Sequence, residues 1–205
     1  MSNIKNKELT ISKFISEPPD LMLDVGVGPK SEYLSLASVY PNMKIVGFEP
    51  HPFRFISVLR KFNGLLLPYA IWDKNETVEI YSNTEEAAMF DPPSCFRYND
   101  SQVSVSMEAK TLDWVLDYMG DFKNILLWMD IEGAELKALQ GAPKTLDRVK
   151  YINVELCDTP LYEGSCDGSQ VDSFLTNAGF ELVHSYQFSV GIDEIKFHDA
   201  IYIRR

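Results

Sequence analysis

The sequence predicts an α/β protein whose mostly parallel β-sheet carries helices on both faces. Short apolar runs recur between turn residues, and stretches with helical periodicity separate them. Strands that alternate with helices form parallel sheets, and strands buried on both sides are rich in leucine, isoleucine and valine. The five predicted core strands are Leu21–Val25, Lys44–Phe48, Leu65–Ile71, Ile125–Ile131 and Tyr151–Leu156.

The helices are predicted from apolar periodicity between these runs. Ser31–Tyr40 repeats apolar residues on one helical face and completes a first βαβ unit. Thr111 is expected to cap a helix that begins just after it. Further helices are predicted over Ala134–Leu139 and Val171–Ala178, and Gly179 is expected to end the last one.

Four more segments alternate polar and apolar residues and are predicted to be strands. Thr77–Tyr81 and Val103–Met107 have the pattern of half-exposed strands, and Phe180–Gln187 and Lys196–Arg204 close the chain. Between the first two, Ser82–Ser101 lacks periodicity and contains two adjacent prolines. We expect a long irregular loop there, a kind of segment that often forms a lid or binding loop.

The composition is that of one globular domain spanning residues 1–205, because 205 residues match the size of a single domain and 45% are hydrophobic. The net charge is −11, with 30 acidic and 19 basic residues. Binding to nucleic acid requires clustered lysine and arginine, so the charge disfavours a nucleic-acid partner.

The sequence predicts a cytoplasmic protein that does not insert into a membrane. Its first residues lack the apolar region of a signal peptide, and no run of 18 apolar residues occurs. Cys95, Cys157 and Cys166 have neither disulfide-framework nor metal-ligand spacing, as expected in a reducing compartment.

Four acidic residues mark the ends of predicted core strands: Asp24, Glu49, Asp130 and Glu155. In an open parallel sheet, ligands bind outside the carboxyl ends of the strands. A single acid there is commonly a turn residue or a helix cap. Four in corresponding positions predict an acidic ligand-binding rim.

A glycine-rich turn follows the first strand. Gly26 and Gly28 allow a sharp turn and close approach of a ligand, and the next helix begins with free backbone N–H groups. A dinucleotide fingerprint would have glycine where Ser31 stands and an apolar residue where Asp24 stands, so nicotinamide binding is disfavoured. A plain tight turn also explains the glycine pair.

Glu49 ends the second strand, where a carboxylate accepts hydrogen bonds from both hydroxyls of a ribose. Glu49 would accept these hydrogen bonds equally well from the ribose of NAD or of S-adenosylmethionine. Asp24 favours S-adenosylmethionine, because that ligand carries an ammonium and a sulfonium and no phosphate.

Three sequence segments resemble the FkbM-type S-adenosylmethionine-dependent methyltransferases: Gly47-Phe48-Glu49-Pro50, Thr111-Leu112-Asp113 and Met129-Asp130-Ile131-Glu132-Gly133-Ala134-Glu135, with Leu139 and Gly141-Ala142 behind the last. The resemblance implies the Rossmann-like class I methyltransferase fold, with seven strands of which the last is antiparallel. It also implies O-methylation of a hydroxyl on a sugar, glycan or secondary metabolite.

The resemblance also implies a set of cofactor-binding residues. Asp24, Gly26 and Gly28 would hold the methionine end, Glu49 with Pro50 the ribose, and Ala70, Ile71 and Trp72 the adenine, with Asp130 beside the cofactor. The family's glycine turn is altered here, so Ser31 or Glu32 is expected to replace contacts to the methionine carboxylate. Trp128 stands where the family has a lysine.

A sugar hydroxyl must lose its proton on methylation, which requires a base within hydrogen-bond reach. Asp130, Glu132 and Glu155 are the candidate catalytic residues, acting as a base or as ligands of a divalent cation that acidifies the hydroxyl. Glu132 and Glu135 alternatively serve only to favour the N-terminus of the next helix. Cys157–Gly168 is the candidate substrate-contact segment.

Two other functions stay open at this stage. A nicotinamide-dependent oxidoreductase would use the same fold and the same ribose-binding acid. A cofactor-binding scaffold without turnover would explain the altered glycine turn and Trp128. The sequence specifies neither the methyl acceptor nor the oligomeric state.

Overall fold

The computed structural model describes residues 7–28, 33–82, 87–88, 103–162, 164–190 and 195–205. Strands come first. The strands of the described residues are β1 (Leu21–Val25), β2 (Lys44–Phe48), β3 (Leu65–Leu67), β4 (Ala70–Ile71), β5 (Glu76–Ser82), β6 (Ala87–Ala88), β7 (Val103–Lys110), β8 (Ile125–Met129), β9 (Val149–Cys157), β10 (Phe180–Val190) and β11 (Ile195–Arg204).

A seven-stranded sheet forms the centre of the fold, in the order β10-β11-β9-β8-β1-β2-β3. Neighbouring strands from β9 through β3 are parallel. The final strand, β11, runs antiparallel to both of its neighbours, β9 and β10. This confirms the predicted mostly parallel sheet and the antiparallel last strand that the resemblance implied.

A second, four-stranded sheet has the order β4-β7-β5-β6. Its β5 and β7 confirm the two predicted half-exposed strands, which pair antiparallel with each other. The predicted core strand Leu65–Ile71 is wrong as one unit, because Pro68 and Tyr69 separate β3 in the main sheet from β4 in the second. Within the predicted loop, β6 pairs with the end of β5, and most of the remaining loop residues lie outside the described residues.

The helices of the described residues are α1 (Lys7–Ser12), α2 (Tyr33–Val39), α3 (Pro52–Leu59), α4 (Leu112–Met119), α5 (Glu135–Gln140), α6 (Pro143–Leu146) and α7 (Gly168–Asn177). As predicted, the Thr111 hydroxyl caps α4 by accepting a 3.0 Å hydrogen bond from the Trp114 N–H. Asp167 caps α7 through a capping box with Gln170. No helix in the described residues has both the length and the apolarity required to cross a membrane.

Alternate residues of the central strands enter two separate cores, because successive side chains of a strand point to opposite faces. On one face, Leu23 and Leu127 pack with the buried sides of α4, α5 and α7. On the other face, Met22 and Leu126 pack with Ile11 of α1 and with α2. Helices therefore cover both faces of the sheet, as predicted.

Candidate active site

Three of the predicted rim acids lie at the carboxyl ends of adjacent parallel strands. Asp24 is the penultimate residue of β1, and Glu49 and Asp130 directly follow β2 and β8. Glu155 lies two residues before the end of β9, because β9 stays paired with β11 as far as Cys157. It is nevertheless level with Asp130, since Met129 pairs with Val154 immediately before both.

The structure brings Asp130, Glu132 and Glu155 together. One carboxylate oxygen from each lies within 4.8 Å of those of the other two, and all three side chains are half-buried. We call these residues the carboxylate cluster. Like charges at this distance raise the proton affinity of one member or attract a cation. The arrangement thus provides a proton acceptor or a set of oxygen ligands for a divalent cation.

The loop that carries the carboxylate cluster is held by a buried acid. Glu135 Oε1 accepts hydrogen bonds from the N–H groups of Ile131 at 3.1 Å and Gly133 at 3.3 Å. Burial raises the pKa of Glu135 to about 7, and the charge of Asp130 also raises it. Glu135 therefore fixes the loop instead of serving only the helix N-terminus.

Glu132 has a φ of 56°, a left-handed conformation that is unfavourable for a residue with a Cβ. Gly133 follows with a φ of 93°, and a Cβ there would lie 2.8 Å from Cβ of Ser165. The local sequence thus turns sharply after Asp130. Strained backbone of this kind is concentrated at functional sites.

The predicted substrate-contact segment lies against this loop. The N–H and the thiol of Cys166 both donate to the carbonyl oxygen of Gly133, at 3.1 and 3.2 Å. Burial raises the pKa of the Cys166 thiol to about 11, so it is not a nucleophilic thiolate at neutral pH. The segment from Cys157 to Gly168 is therefore placed beside the carboxylate cluster, although Glu163 lies outside the described residues.

Asp199 is a rim acid that the sequence analysis missed. It lies in β11 with its Cα opposite that of Glu155, and its side chain is 6% exposed. Directly opposed residues of an antiparallel pair point to the same face of the sheet. Asp199 thus extends the acidic surface from Glu155 on β9 to the neighbouring strand β11. Alternation in the last strand is visible in the sequence, but the residue that faces Glu155 is not.

Gly26 is required by the fold as well as by any ligand. Its φ is 95°, and a Cβ there would lie 2.0 Å from the carbonyl oxygen of Asp130. The neighbouring N–H of Asp130 donates to Val25 O at 3.0 Å. Besides the turn and the ligand approach predicted from the sequence, Gly26 therefore allows β1 to pack closely against Asp130.

Gly28 has a different environment. A Cβ at this position would meet no atom of the described residues within 4 Å. None of the described residues therefore blocks the approach of a ligand to the backbone of Gly28. The predicted cofactor contacts Ser31 and Glu32, which follow it, lie outside the described residues.

The two glycines therefore give a matched pair of substitutions. Gly26→Ala is expected to lower the free energy of unfolding by about 2–4 kcal/mol, from the left-handed φ and the clash with Asp130. Gly28→Ala is expected to unfold like the wild type and to weaken binding of S-adenosylhomocysteine. Urea denaturation measures both changes in stability. Equal stability of Gly26→Ala and wild type would contradict the packing role of Gly26.

Glu49 is a buried carboxylate at the carboxyl end of β2. Its side chain is 4% exposed, and Oε1 accepts a 2.8 Å hydrogen bond from the N–H of His51. Burial raises the pKa of Glu49 to about 7, while that hydrogen bond and the charge of Arg54 lower it. Pro50, also predicted to contact the cofactor, is half-buried beside it. A buried acid held in one orientation is suited to bind a polar ligand.

The raised pKa of Glu49 predicts a pH dependence of stability. The folded protein holds a proton on Glu49 up to about pH 7, whereas an unfolded chain releases it near pH 4.5. The stabilisation is therefore complete at low pH and is lost as the pH rises through 7. We expect the stability of the wild type, relative to Glu49→Gln, to decrease between pH 5 and pH 8. A difference in unfolding free energy between the wild type and Glu49→Gln that stays constant from pH 5 to pH 8 would contradict the raised pKa.

The predicted adenine segment starts the second sheet. Ala70 and Ile71 are buried and pair with Ala109 and Lys110 of β7, so both belong to the packed part of the structure. The segment is close to Glu49, because the Glu49 N–H donates to Leu67 O at 3.1 Å.

Trp72 is half-buried at the end of this segment. The backbone N–H of Trp72 donates to the backbone carbonyl oxygen of Lys110 at 3.0 Å, and Lys137 Nζ lies 5.8 Å from the centre of the Trp72 ring. A Cβ at Gly141 would lie 2.2 Å from Trp72 O, which explains why a glycine stands there. Stacking of adenine on Trp72 stays a prediction.

Trp128 has a structural role in place of the family's lysine. It is 3% exposed and packs in the core with Met22 and Leu36. Its Cα pairs with that of Asp24 in β1. The substitution thus supplies apolar packing below the rim.

Comparisons with known proteins show which family and which relatives this chain is similar to. The family described as "Methyltransferase FkbM domain" matches residues 24–182. The 2-O-methyltransferase NoeI of Sinorhizobium fredii is 28% identical over 200 residues, covering 89% of this chain and 80% of NoeI.

Two solved structures show the same fold at low sequence identity. Magnesium protoporphyrin IX methyltransferase from Synechocystis PCC 6803, with bound S-adenosylmethionine, has a TM-score of 0.54 and 9% identity, covering 98% of this chain and 77% of that one. The 1,6-didemethyltoxoflavin-N1-methyltransferase of Burkholderia thailandensis has a TM-score of 0.55 and 8% identity, covering 99% and 78%.

Proposed function

The chain belongs to the FkbM methyltransferase family, and from this premise we propose that it transfers a methyl group from S-adenosylmethionine to a hydroxyl oxygen. The match to the 2-O-methyltransferase NoeI supports oxygen as the accepting atom. The family also favours this function over the nicotinamide-dependent oxidoreductase that the sequence alone left open. The proposed acceptor is a sugar, glycan or secondary metabolite.

The observation that carries the proposal is the position of the carboxylate cluster. Its three acids lie at the sheet edge where the open glycine turn and Glu49 also lie. A hydroxyl is a poor nucleophile until its proton is removed, and a carboxylate beside a cofactor site meets that need. Acids on neighbouring strands would thus act on an acceptor bound next to the cofactor.

The residues present fit S-adenosylmethionine. The space beside Gly28 leaves room for the methionine end, and Asp24 offers a buried carboxylate for its ammonium group. The buried Glu49 would bind the ribose hydroxyls, and the segment Ala70-Ile71-Trp72 would contact the adenine through Trp72, its partly exposed member. When bound, this cofactor supplies a methyl group whose bond to positively charged sulfur breaks as the new bond to oxygen forms.

Asp130 is our proposed catalytic base. It directly follows the central strand β8, and its backbone lies against Gly26 at the glycine turn. Its carboxylate would accept the hydroxyl proton and later release it to water. Glu132 and Glu155, within 4.8 Å, would favour protonation of Asp130 and accept hydrogen bonds from the acceptor.

The same three oxygens would also hold a divalent cation, which acidifies a bound hydroxyl. Chelation separates the two mechanisms. A base-only enzyme keeps its activity in EDTA, whereas a cation-dependent enzyme loses activity and regains it with Mg²⁺. We favour the base, because one proton acceptor suffices for this chemistry.

We further propose that residues 1–205 act as one domain in the cytoplasm. Within the part of the chain that the structure describes, Cys157 and Cys166 are free thiols, which supports a reducing compartment. The excess of acidic residues supports a neutral acceptor in preference to nucleic acid.

The proposed function is tested by supplying S-adenosylmethionine with a labelled methyl group and a panel of hydroxyl compounds. We expect label in an ether that resists mild base, with one S-adenosylhomocysteine formed per methyl transferred. Cofactor binding without transfer to any hydroxyl would instead support the non-catalytic scaffold.

A further inference from the structure

Three aromatic side chains continue the acidic face of the sheet beyond the carboxylate cluster. Tyr186 of β10 lies opposite Asp199, which in turn lies opposite Glu155. Phe188 of β10 lies opposite Phe197 of β11 in the next row. Because opposed residues share a face, the three aromatic side chains are on the side of the sheet that carries Glu155. We call Tyr186, Phe188 and Phe197 the aromatic patch.

The rings of the aromatic patch form a nearly parallel series. The centres of Tyr186 and Phe188 are 6.4 Å apart with 23° between ring planes, and those of Phe188 and Phe197 are 5.6 Å apart with 13°. Tyr186 is 52% exposed, and the other two rings are half-buried. The rings therefore present apolar surface at the edge of the sheet.

The patch is close enough to the carboxylate cluster for one ligand to contact both. Side chains opposed across antiparallel strands are about 5 Å apart, so Tyr186 lies about 10 Å from Glu155. Phe197 is also near the cluster, because it lies opposite Cys157, which is two residues after Glu155 on the same face of β9. A ligand about 10 Å long would reach from the rings to the cluster.

We propose that the aromatic patch binds a sugar ring of a carbohydrate acceptor while a hydroxyl of that carbohydrate reaches the carboxylate cluster. This inference rests on the proposed function and names the substrate class of the same site. The C–H groups on one face of a pyranose are attracted to the negative faces of aromatic rings.

The surroundings of the rings favour a carbohydrate over other occupants. The half-buried Glu155 and the other acids of the carboxylate cluster offer carboxylate acceptors near the rings, and sugar hydroxyls supply matching donors. A purely apolar ligand offers the carboxylates no donors, so covering them would be costly. An anionic ligand is disfavoured by the carboxylates and by the net charge of −11.

Methyl transfer to methyl glycosides of hexoses and to the corresponding disaccharides tests this inference. We expect Tyr186→Ala to raise KM for an accepted glycoside about three- to tenfold with little change in kcat, as for loss of one aromatic contact. Tyr186→Phe keeps the ring and should keep the wild-type KM. Tyr118→Ala removes a tyrosine that is 77% exposed on α4 and should change neither constant.

Binding of S-adenosylhomocysteine separates failure of this inference from failure of the proposed function. An unchanged KM in Tyr186→Ala would overturn the aromatic subsite and leave O-methylation standing. Transfer to aryl or lipid hydroxyls but to no glycoside would overturn the carbohydrate assignment. If the wild-type protein neither binds S-adenosylhomocysteine nor methylates any hydroxyl compound, both the proposed function and the aromatic subsite are wrong.

Discussion

Asp130→Asn is expected to lower turnover by about 10²- to 10⁴-fold, the usual cost of removing a general base. The amide keeps the shape of the side chain and cannot accept the hydroxyl proton as a carboxylate does. Steady-state kinetics with an accepted hydroxyl compound measures the loss. Affinity for S-adenosylhomocysteine should change much less, since Asp130 acts mainly on the acceptor.

Asp117→Asn is a suitable control for Asp130→Asn. Asp117 is on α4 with its side chain 62% exposed, and its substitution removes the same charge from the surface. It should retain wild-type turnover. If Asp130→Asn also retained wild-type turnover, the base would be sought at Glu132 or Glu155.

Glu49→Ala is expected to weaken binding of S-adenosylhomocysteine by at least about 100-fold. A carboxylate that binds both ribose hydroxyls makes two charge-assisted hydrogen bonds, each worth about 1.5–3 kcal/mol. Isothermal titration calorimetry measures the dissociation constant directly. Because Glu49 is buried with a raised pKa, its removal relieves a desolvated acid, and the variant should still fold.

Glu76→Ala provides the comparison for Glu49→Ala. Glu76 begins β5 in the second sheet and pairs with the exposed Lys74 at 3.2 Å. Its removal should leave cofactor affinity unchanged. A dissociation constant for Glu49→Ala equal to that of the wild type would reject Glu49 as the ribose ligand.

Local sequence patterns predicted most of the central sheet because buried parallel strands are short and apolar. They failed at Leu65–Ile71, where Pro68 and Tyr69 interrupt the segment and its two parts join different sheets. The pattern records burial of Leu66 and Ile71 and does not record which strand each one pairs with. Pro68 marks the break in the sequence, but strand partners are tertiary information, so the assignment of the two parts to different sheets was not predictable from this segment alone.

The candidate site was predictable to the extent that its residues end strands. Asp24, Glu49 and Asp130 follow from the rule that ligands bind at carboxyl ends. Asp199 and Tyr186 join Glu155 only through the register of β11 and β10, which depends on long-range pairing. The role of Glu135 was also hidden, because its hydrogen bonds require the left-handed turn at Glu132.

Parallel calorimetric titrations of the purified protein with S-adenosylhomocysteine and with NAD decide which cofactor class the chain binds. We expect saturable binding of one S-adenosylhomocysteine per chain and no measurable heat with NAD. Binding of NAD without binding of S-adenosylhomocysteine would contradict this expectation.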